Sequence, residues 1–279
     1  MTILFFTLII FLGSILAGLL GSLTGLGGGV VIIPMLTLML GVDIRYAIGT
    51  SIVAVIATSS GAASAYVKEG FTNIRLGMFL EIATTLGAVG GAIAAVYAPT
   101  NAIAIIFGCI LIISAFLSLK KKPSYIQHTE SSRLAKFFKL GSSFPEKNGT
   151  EVFYTVRHVT GGFLMMSFAG ILSGLLGIGS GALKVLAMDN IMRVPFKVST
   201  TTSNFMIGVT AAASAVIYFQ RGYIDPGLCM PVTLGVLLGA FAGSKILTKS
   251  ETKSLRYVFA IVICLLAAEM IYNGLTNRI

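Results

Sequence analysis

Two dense glycine clusters are the segments of this sequence best suited to hold a ligand. They lie at residues 25–29 (GLGGG) and 177–181 (GIGSG), and each precedes a short apolar run. Glycine allows a positive φ and a close backbone approach, so such a loop can present free N–H groups next to a helix N-terminus. This pattern predicts a pair of anion cradles. The candidate binding residues in the clusters are Gly25, Gly27, Gly28, Gly29, Gly177, Gly179, Ser180 and Gly181.

Glycines spaced four residues apart have a second interpretation, which is close packing of helices. We favour that interpretation for the pairs Gly21/Gly25, Gly87/Gly91 and Gly239/Gly243.

Lys184 follows the second cluster inside the apolar run 182–186. A lysine in such surroundings is costly unless its ammonium meets water, a counter-charge or an anionic ligand. Direct contact with a substrate or counter-ion is one interpretation. The other is that the side chain extends along apolar surface until its ammonium reaches the membrane interface.

Hydroxyl and amide side chains follow both short apolar runs, at the start of the next long ones. They can hydrogen-bond an oxyanion without adding charge. They can equally cap a helix or bond back to a helix carbonyl, and the sequence favours neither role. These candidate binding residues are Thr50, Ser51, Thr201, Thr202, Ser203 and Asn204.

Glu81 is the one acidic residue of its apolar run. A carboxylate within a membrane is a candidate for proton coupling. Because Arg75 lies only a turn or two away, an ion pair at the membrane interface is an equal alternative.

Catalysis finds no support in the sequence. Residues 239–245 (GAFAGSK) lack the Gly-Lys-Ser/Thr order of a phosphate-binding loop, and no paired carboxylates or Ser/His/Asp set stands out. The cysteines Cys109, Cys229 and Cys264 each stand alone, which predicts neither a disulfide framework nor a zinc site. We expect no enzyme, no cofactor and no metal.

The composition indicates what must position these residues. The chain of 279 residues is 56% hydrophobic and 11% charged, whereas soluble domains carry about 25% charge. A mean hydropathy of +0.93 excludes soluble, disordered and disulfide-rich classes and predicts an all-α polytopic membrane protein. The long apolar runs lie at 2–24, 46–67, 76–97, 99–119, 158–176, 198–219, 227–247 and 256–274, and the shorter ones at 28–41 and 180–192.

The two halves of the sequence repeat one another. A shift of 152 residues places Gly18 on Gly170 and the first glycine cluster on the second, and it aligns Thr50 with Thr202 without a gap. We infer a duplication. It divides the chain into a first transmembrane repeat (1–119), a basic linker (120–157) with a short amphipathic helix around Arg133–Leu140, and a second repeat (158–279).

Charge favours an inverted arrangement of the repeats. Five crossings in each half place the linker and the other basic segments on one side, so the whole formal net charge of +10 lies on that face. By the positive-inside rule this face is cytoplasmic, and both termini lie outside. The competing topology makes the short runs re-entrant and the repeats parallel. Inverted repeats with broken helices are typical of secondary transporters, whose site lies near the membrane midplane.

The motifs also resemble a known family. The pattern of glycines from Gly21 to Gly29, then Pro34, residues 49–51 (GTS) and Gly87-Ala88, is similar to the TauE/SafE family of sulfite and organosulfur anion exporters, also described as toluene sulfonate uptake permeases. The second half shows the same resemblance at 174–181 and 201–203. Leu186 departs from the pattern, since it replaces the proline that Pro34 provides in the first repeat. The resemblance implies permeases of the prokaryotic inner membrane for sulfite, sulfonates and related anions.

Together these features predict a secondary transporter that exports sulfite or a small organosulfur anion by alternating access across the cytoplasmic membrane. Its expected partners are that anion and the lipid bilayer, with no nucleic acid. Coupling to a proton or ion and assembly into a homo-oligomer are both compatible with this interpretation. The alternatives are an uptake permease or channel for another small anion, and a non-transporting scaffold or sensor that uses the linker for docking.

Overall fold

The protein is an all-α membrane protein, and its described residues also include a two-stranded antiparallel hairpin. The computed structural model describes residues 3–24, 28–68, 70–119, 132–145, 151–247 and 253–277. In the first half the helices are α1 (Ile3–Thr24), α2 (Gly29–Pro34), α3 (Ile44–Lys68), α4 (Ile74–Tyr97) and α5 (Thr100–Leu119). After α6 (Arg133–Phe137), the second half forms α7 (Val159–Leu176), α8 (Gly181–Leu186), α9 (Phe196–Gln220), α10 (Pro226–Leu247) and α11 (Lys253–Leu275).

Every predicted apolar run forms a helix, and the bounds agree to within three residues. The apolar composition of these helices suits a lipid environment. Within the described residues, four helices are long and apolar enough to cross a membrane. Their apolar windows are Leu4–Gly21, Ile74–Tyr97, Val159–Leu176 and Phe196–Gln220.

The two short helices have the same internal break. Each has six α-helical residues and then widens into a π-helical turn, at Met35–Met39 after α2 and at Ala187–Ile191 after α8. Corresponding hydrogen bonds close the two turns, from Val42 N to Leu36 O (3.0 Å) and from Val194 N to Met188 O (2.9 Å). The helix α8 therefore adopts the geometry of α2 although it lacks a proline at the position of Pro34. Packing, and not the proline ring, sets this break.

Helices of the two halves exchange equivalent contacts. The first helix of each half packs on the fourth helix of the other, α1 on α10 and α7 on α4, while α3 packs on α9 and α5 on α11. Gly18 lies directly against the backbone of Val236, and Gly170 lies against the backbone of Thr84. Both partners of the second contact are 152 residues from those of the first, so the duplication extends to single packing contacts.

The predicted packing role is confirmed for Gly87, Gly91 and Gly239, while Gly25 lies outside the described residues and the predictions for Gly21 and Gly243 stay open. Gly87 and Gly91 on α4 lie against the backbone of α7 at Ser167 and Ile171, and Gly239 on α10 lies against Ile15 of α1. A side chain at these positions would collide with main-chain atoms, which cannot rotate away as a side chain can.

The linker packs onto one end of the bundle. It contains the predicted helix, α6, and a hairpin that the sequence did not suggest, in which β1 (Ser142–Pro145) pairs antiparallel with β2 (Glu151–Tyr154). The buried side chains of Leu140 and Tyr154 join a cluster with residues of α4, α7 and α9. The Asn73 amide fixes this contact by donating to Leu140 O (2.8 Å) and to the Tyr154 hydroxyl (2.7 Å).

Adjacent glycines on α4 allow a matched test of the packing. Gly91 lies against the Ile171 backbone, whereas a Cβ at Gly90 would meet nothing within 4 Å. We expect Gly91→Ala to lower the free energy of unfolding by about 1–3 kcal/mol because the helices must separate. Gly90→Ala should be neutral or stabilising by up to about 1 kcal/mol because alanine favours the helix. Thermal unfolding in detergent measures both, and equal effects would contradict the packing.

Asn73 supports a second prediction, about linker docking. Asn73→Asp keeps the oxygen that caps Leu76 N but loses both donors to the linker, at a cost of about 1–3 kcal/mol for the unsatisfied groups. We expect tryptic cleavage at Lys136 and Lys139 to accelerate. Asp225→Asn, at the repeat-related cap, is the control and should leave cleavage unchanged. Equal cleavage of wild type and Asn73→Asp would show that the amide does not hold the linker.

Candidate functional site

The two glycine loops meet at Ser51. Gly29, at the start of α2, packs against both the Ser51 hydroxyl and the carbonyl of Gly177, and a Cβ at Gly29 would overlap the hydroxyl. Ser51 is fully buried and donates a hydrogen bond to that carbonyl, Oγ to Gly177 O at 2.8 Å. Gly28 precedes Gly29 and is buried, while Gly25 and Gly27 lie outside the described residues.

The second loop contains three left-handed residues within a stretch of four. Gly177, Gly179 and Ser180 have φ values of +66°, +72° and +46°, with only Ile178 between them. Left-handed backbone suits glycine and is uncommon for serine. Ser180 is 5% exposed, and its hydroxyl has no hydrogen-bond partner among the described residues. It lines a narrow cleft with Val30.

The serines of the two repeats both support this loop. Ser203 corresponds to Ser51 and donates from its Oγ to Gly181 O at 3.2 Å. These hydroxyls therefore satisfy carbonyls of the second loop and hold its shape. The structure thus brings together the loop residues Gly28, Gly29, Gly177, Gly179, Ser180 and Gly181 with Ser51 and Ser203.

The threonines point to other partners. Thr201 donates to Phe71 O at 3.0 Å, and Thr202 accepts from the backbone N–H of Asn73 at 3.0 Å. Both therefore hold the turn before α4. Thr50 accepts a hydrogen bond from the Cys229 thiol at 3.7 Å, on α10.

Asn204 follows these threonines on α9 and is half-buried. Its main-chain carbonyl accepts from the hydroxyl of Ser59 on α3 at 2.5 Å. The structure therefore places Thr50, Thr201, Thr202 and Asn204 at contacts between helices rather than on the glycine loops.

Lys184 lies one turn beyond the second loop and is fully buried. Its ammonium donates to the Thr210 hydroxyl at 2.6 Å, on α9. The side chain therefore turns into the bundle and does not extend to the interface. An ammonium group has three N–H donors, and this one has a single acceptor among the described residues.

Glu81 lies on the other side of the same threonine. Thr210 donates to Glu81 Oε1 at 2.6 Å, and Thr85 donates to the same oxygen at 3.2 Å. Oε2 is buried and has no partner among the described residues. Arg75 donates instead to Lys139 O at 3.1 Å, so the alternative of an interfacial ion pair with Glu81 does not form.

A continuous polar bridge thus runs from Glu81 through Thr210 to Lys184. It joins α4 of the first half to α8 and α9 of the second. In a medium of low dielectric constant, each charge at its ends lowers the cost of burying the other. Sequence reasoning missed Thr210. One signal was available, because the predicted topology leaves Glu81 and Lys184 as two opposite charges within the membrane.

Comparison with known proteins agrees with this architecture. The family model described as "Sulfite exporter TauE/SafE" matches residues 10–270. "Probable membrane transporter protein YunE" of Bacillus subtilis (strain 168) is 30% identical over 97% of this chain and 98% of its own length. "Probable membrane transporter protein YdhB" of the same strain is 26% identical over 85% of this chain and 87% of its own length. "Probable membrane transporter protein MJ0441" of Methanocaldococcus jannaschii is 23% identical over 95% of this chain and 94% of its own length.

No solved structure matches the chain. The family match covers nearly the whole sequence, and the names of the relatives describe membrane transporters, not enzymes. The chain belongs to the sulfite exporter TauE/SafE family and is a multi-pass membrane transporter.

Proposed function

We propose that this protein is a secondary transporter that exports sulfite or a small organosulfur anion, such as a sulfonate, across the cytoplasmic membrane. The observation that carries the proposal is the meeting of the two glycine loops at Ser51, with the buried Lys184 one helical turn beyond the end of the second loop. A transporter of this family needs a polar site inside an apolar bundle. Residues 177–184 supply a non-helical turn, the Ser180 hydroxyl and the Lys184 ammonium.

The chemistry of the site suits an oxyanion. The Ser180 hydroxyl has no hydrogen-bond partner within the described residues and lies between the Gly179 turn and the start of α8. Lys184 supplies a positive charge and spare N–H donors. Sulfite and sulfonates present several oxygen acceptors around one sulfur, which suits the donors that a hydroxyl, an ammonium and loop amides can supply.

Alternating access follows from the proposed symmetry. We infer that the repeats are inverted, with the linker in the cytoplasm and both termini outside. The reciprocal packing of α1 on α10 and α7 on α4 supports two related halves. The boundaries at 119 and 158 are consistent with the ends of α5 and the start of α7. Rocking of one half against the other would expose the loops first to one face and then to the other.

Ligand-dependent stability tests the substrate class and the site together. A ligand that binds only the folded protein at a hundredfold excess over Kd stabilises it by about 2.7 kcal/mol. We expect sulfite or an anionic sulfonate such as sulfoacetate to raise the Tm of the purified protein. Sulfate, the zwitterionic sulfonate taurine and carboxylate analogues of equal size should raise it less. We expect Lys184→Met to remove the ligand-dependent part of that shift.

The controls separate binding from folding. Lys197→Met removes an exposed cation that lies over the Phe71 ring and should keep the shift. The double variant Lys184→Met/Glu81→Gln leaves no unmatched charge in the bundle, so it reports the loss of the ligand contact alone. A full ligand shift in either Lys184 variant would exclude Lys184 from the site. The flux of labelled sulfite across the membrane of proteoliposomes, measured inward and outward, then decides between export and uptake.

A further inference from the structure

The charge of Lys184 is already balanced in this structure. The Lys184 ammonium donates to the Thr210 hydroxyl, which donates to the Glu81 carboxylate, and each of these hydrogen bonds is 2.6 Å long. An anion that approached the ionised pair would meet a site with a net charge close to zero. Its own charge would then lack compensation in an apolar environment, which is costly. Binding of the proposed substrate therefore requires that one negative charge be removed.

Among the described residues, no further charged side chain contacts Glu81 or Lys184. The helices packed against them are α5, α7 and α9, and α7 contains no ionisable side chain. On α9, Lys197 lies over the Phe71 ring at 4.4 Å, and the Tyr218 hydroxyl donates to a carbonyl of α7 at 3.1 Å.

The remaining titratable groups on these elements lie away from the pair. Cys109 of α5 is exposed. Asp189, in the π-helical turn after α8, is half-buried and has a partner of its own. Arg75 and Tyr97, at the two ends of α4, contact Lys139 and Arg221. Within the described part of the chain, the balance at Lys184 therefore depends on Glu81.

We propose that Glu81, Thr210 and Lys184 form a proton-coupling relay in which one proton bound by Glu81 frees Lys184 to hold one anion. The proposal rests on the anion transport proposed above and names its coupling ion and residues. Because the anion and the proton move together, the relay exports the anion where its outward concentration gradient exceeds the inward proton gradient, and it imports the anion where the proton gradient is the larger. The proton enters from solution and bonds to Oε2, the carboxylate oxygen for which the described residues provide no hydrogen-bond partner. The carboxyl group becomes neutral, and the ammonium keeps its charge and its spare donors for the anion.

Thr210 is the positioning residue of this relay. Its hydroxyl accepts from Lys184 and has two acceptors within reach, Glu81 Oε1 at 2.6 Å and Met206 O at 2.9 Å. When Glu81 is ionised the hydroxyl donates to it. When Glu81 is neutral the hydroxyl can donate to the helix carbonyl instead, which weakens the link between the two ends. The empty site and the site with one proton and one monoanion then have the same net charge.

Proteoliposomes test the relay with labelled isethionate, a sulfonate that stays singly charged across the pH range used. The membrane potential is held at zero with potassium and valinomycin. For the wild type, a gradient of one pH unit should accumulate isethionate up to about tenfold, since a one-unit difference corresponds to a tenfold ratio of protons. Glu81→Gln should lower the ratio of accumulation with and without the gradient to about one. An unchanged ratio in this variant, or a wild type that ignores the gradient, would overturn the proposal.

Neighbouring hydroxyls provide matched controls. Thr210→Ser retains the bridging hydroxyl and should retain the tenfold ratio, whereas Thr210→Val should lower it. Thr85→Val removes a hydroxyl from the same Glu81 oxygen without touching Lys184, and it should keep the ratio. A merely structural role would give Thr85→Val and Thr210→Val similar effects, which would contradict a relay through Thr210.

Infrared spectroscopy tests the relay without any substrate. If the wild type carries neither isethionate nor sulfite nor sulfoacetate, the proposed substrate class fails, and the spectrum alone decides about the relay. Lys184→Met should show the carbonyl stretch of a protonated carboxylic acid at neutral pH, because its Glu81 has lost the balancing cation. The wild type should lack this band, and Lys184→Met/Glu81→Gln should lose it again. Absence of the band from Lys184→Met would show that the two charges are independent and overturn the proposal.

Discussion

The whole structure depends on one constraint, which is that a lipid bilayer offers no hydrogen-bond partner to a broken backbone. Two helices are interrupted at the glycine loops, and their free carbonyls must be satisfied from within the protein. Ser51 and Ser203 do this for the second loop by donating to Gly177 O and Gly181 O. The close packing of α3 on α9 brings both serines to the loop, so the helix arrangement and the broken backbone require each other.

The sequence predicts the helices well because their determinants are local. Apolar length sets each span, and small residues at fixed spacing set which helices approach closely. The fate of a hydroxyl is different, since its partner is chosen by tertiary contacts. Thr202 and Ser203 are adjacent, yet one holds the turn at Asn73 and the other holds the glycine loop. Thr210 gave no local sign at all, because its partners lie 26 and 129 residues away.

The duplication preserves packing but not charge. Gly18 and Gly170 make corresponding contacts, and so do the two π-helical turns. In contrast, Ile32 occupies the position of Lys184 in the first repeat, and Thr233 occupies that of Glu81 in the second. Apolar packing therefore defines a nearly symmetric frame, while the polar bridge is a single asymmetric element that crosses from one half of the chain to the other.

The docked linker makes the two ends of this frame energetically unequal. Asn73 and Asp225 cap repeat-related helices in the same way, but Asn73 also binds the linker through two side-chain hydrogen bonds. Any opening that moves the turn at Asn73 must first break these two hydrogen bonds. It must also break the bond that the Asn73 backbone N–H donates to Thr202. An opening at the Asp225 end would leave the hydrogen bonds between Asn73 and the linker intact. In the proposed alternating-access cycle, these hydrogen bonds would favour a resting state that is closed on the side of the linker.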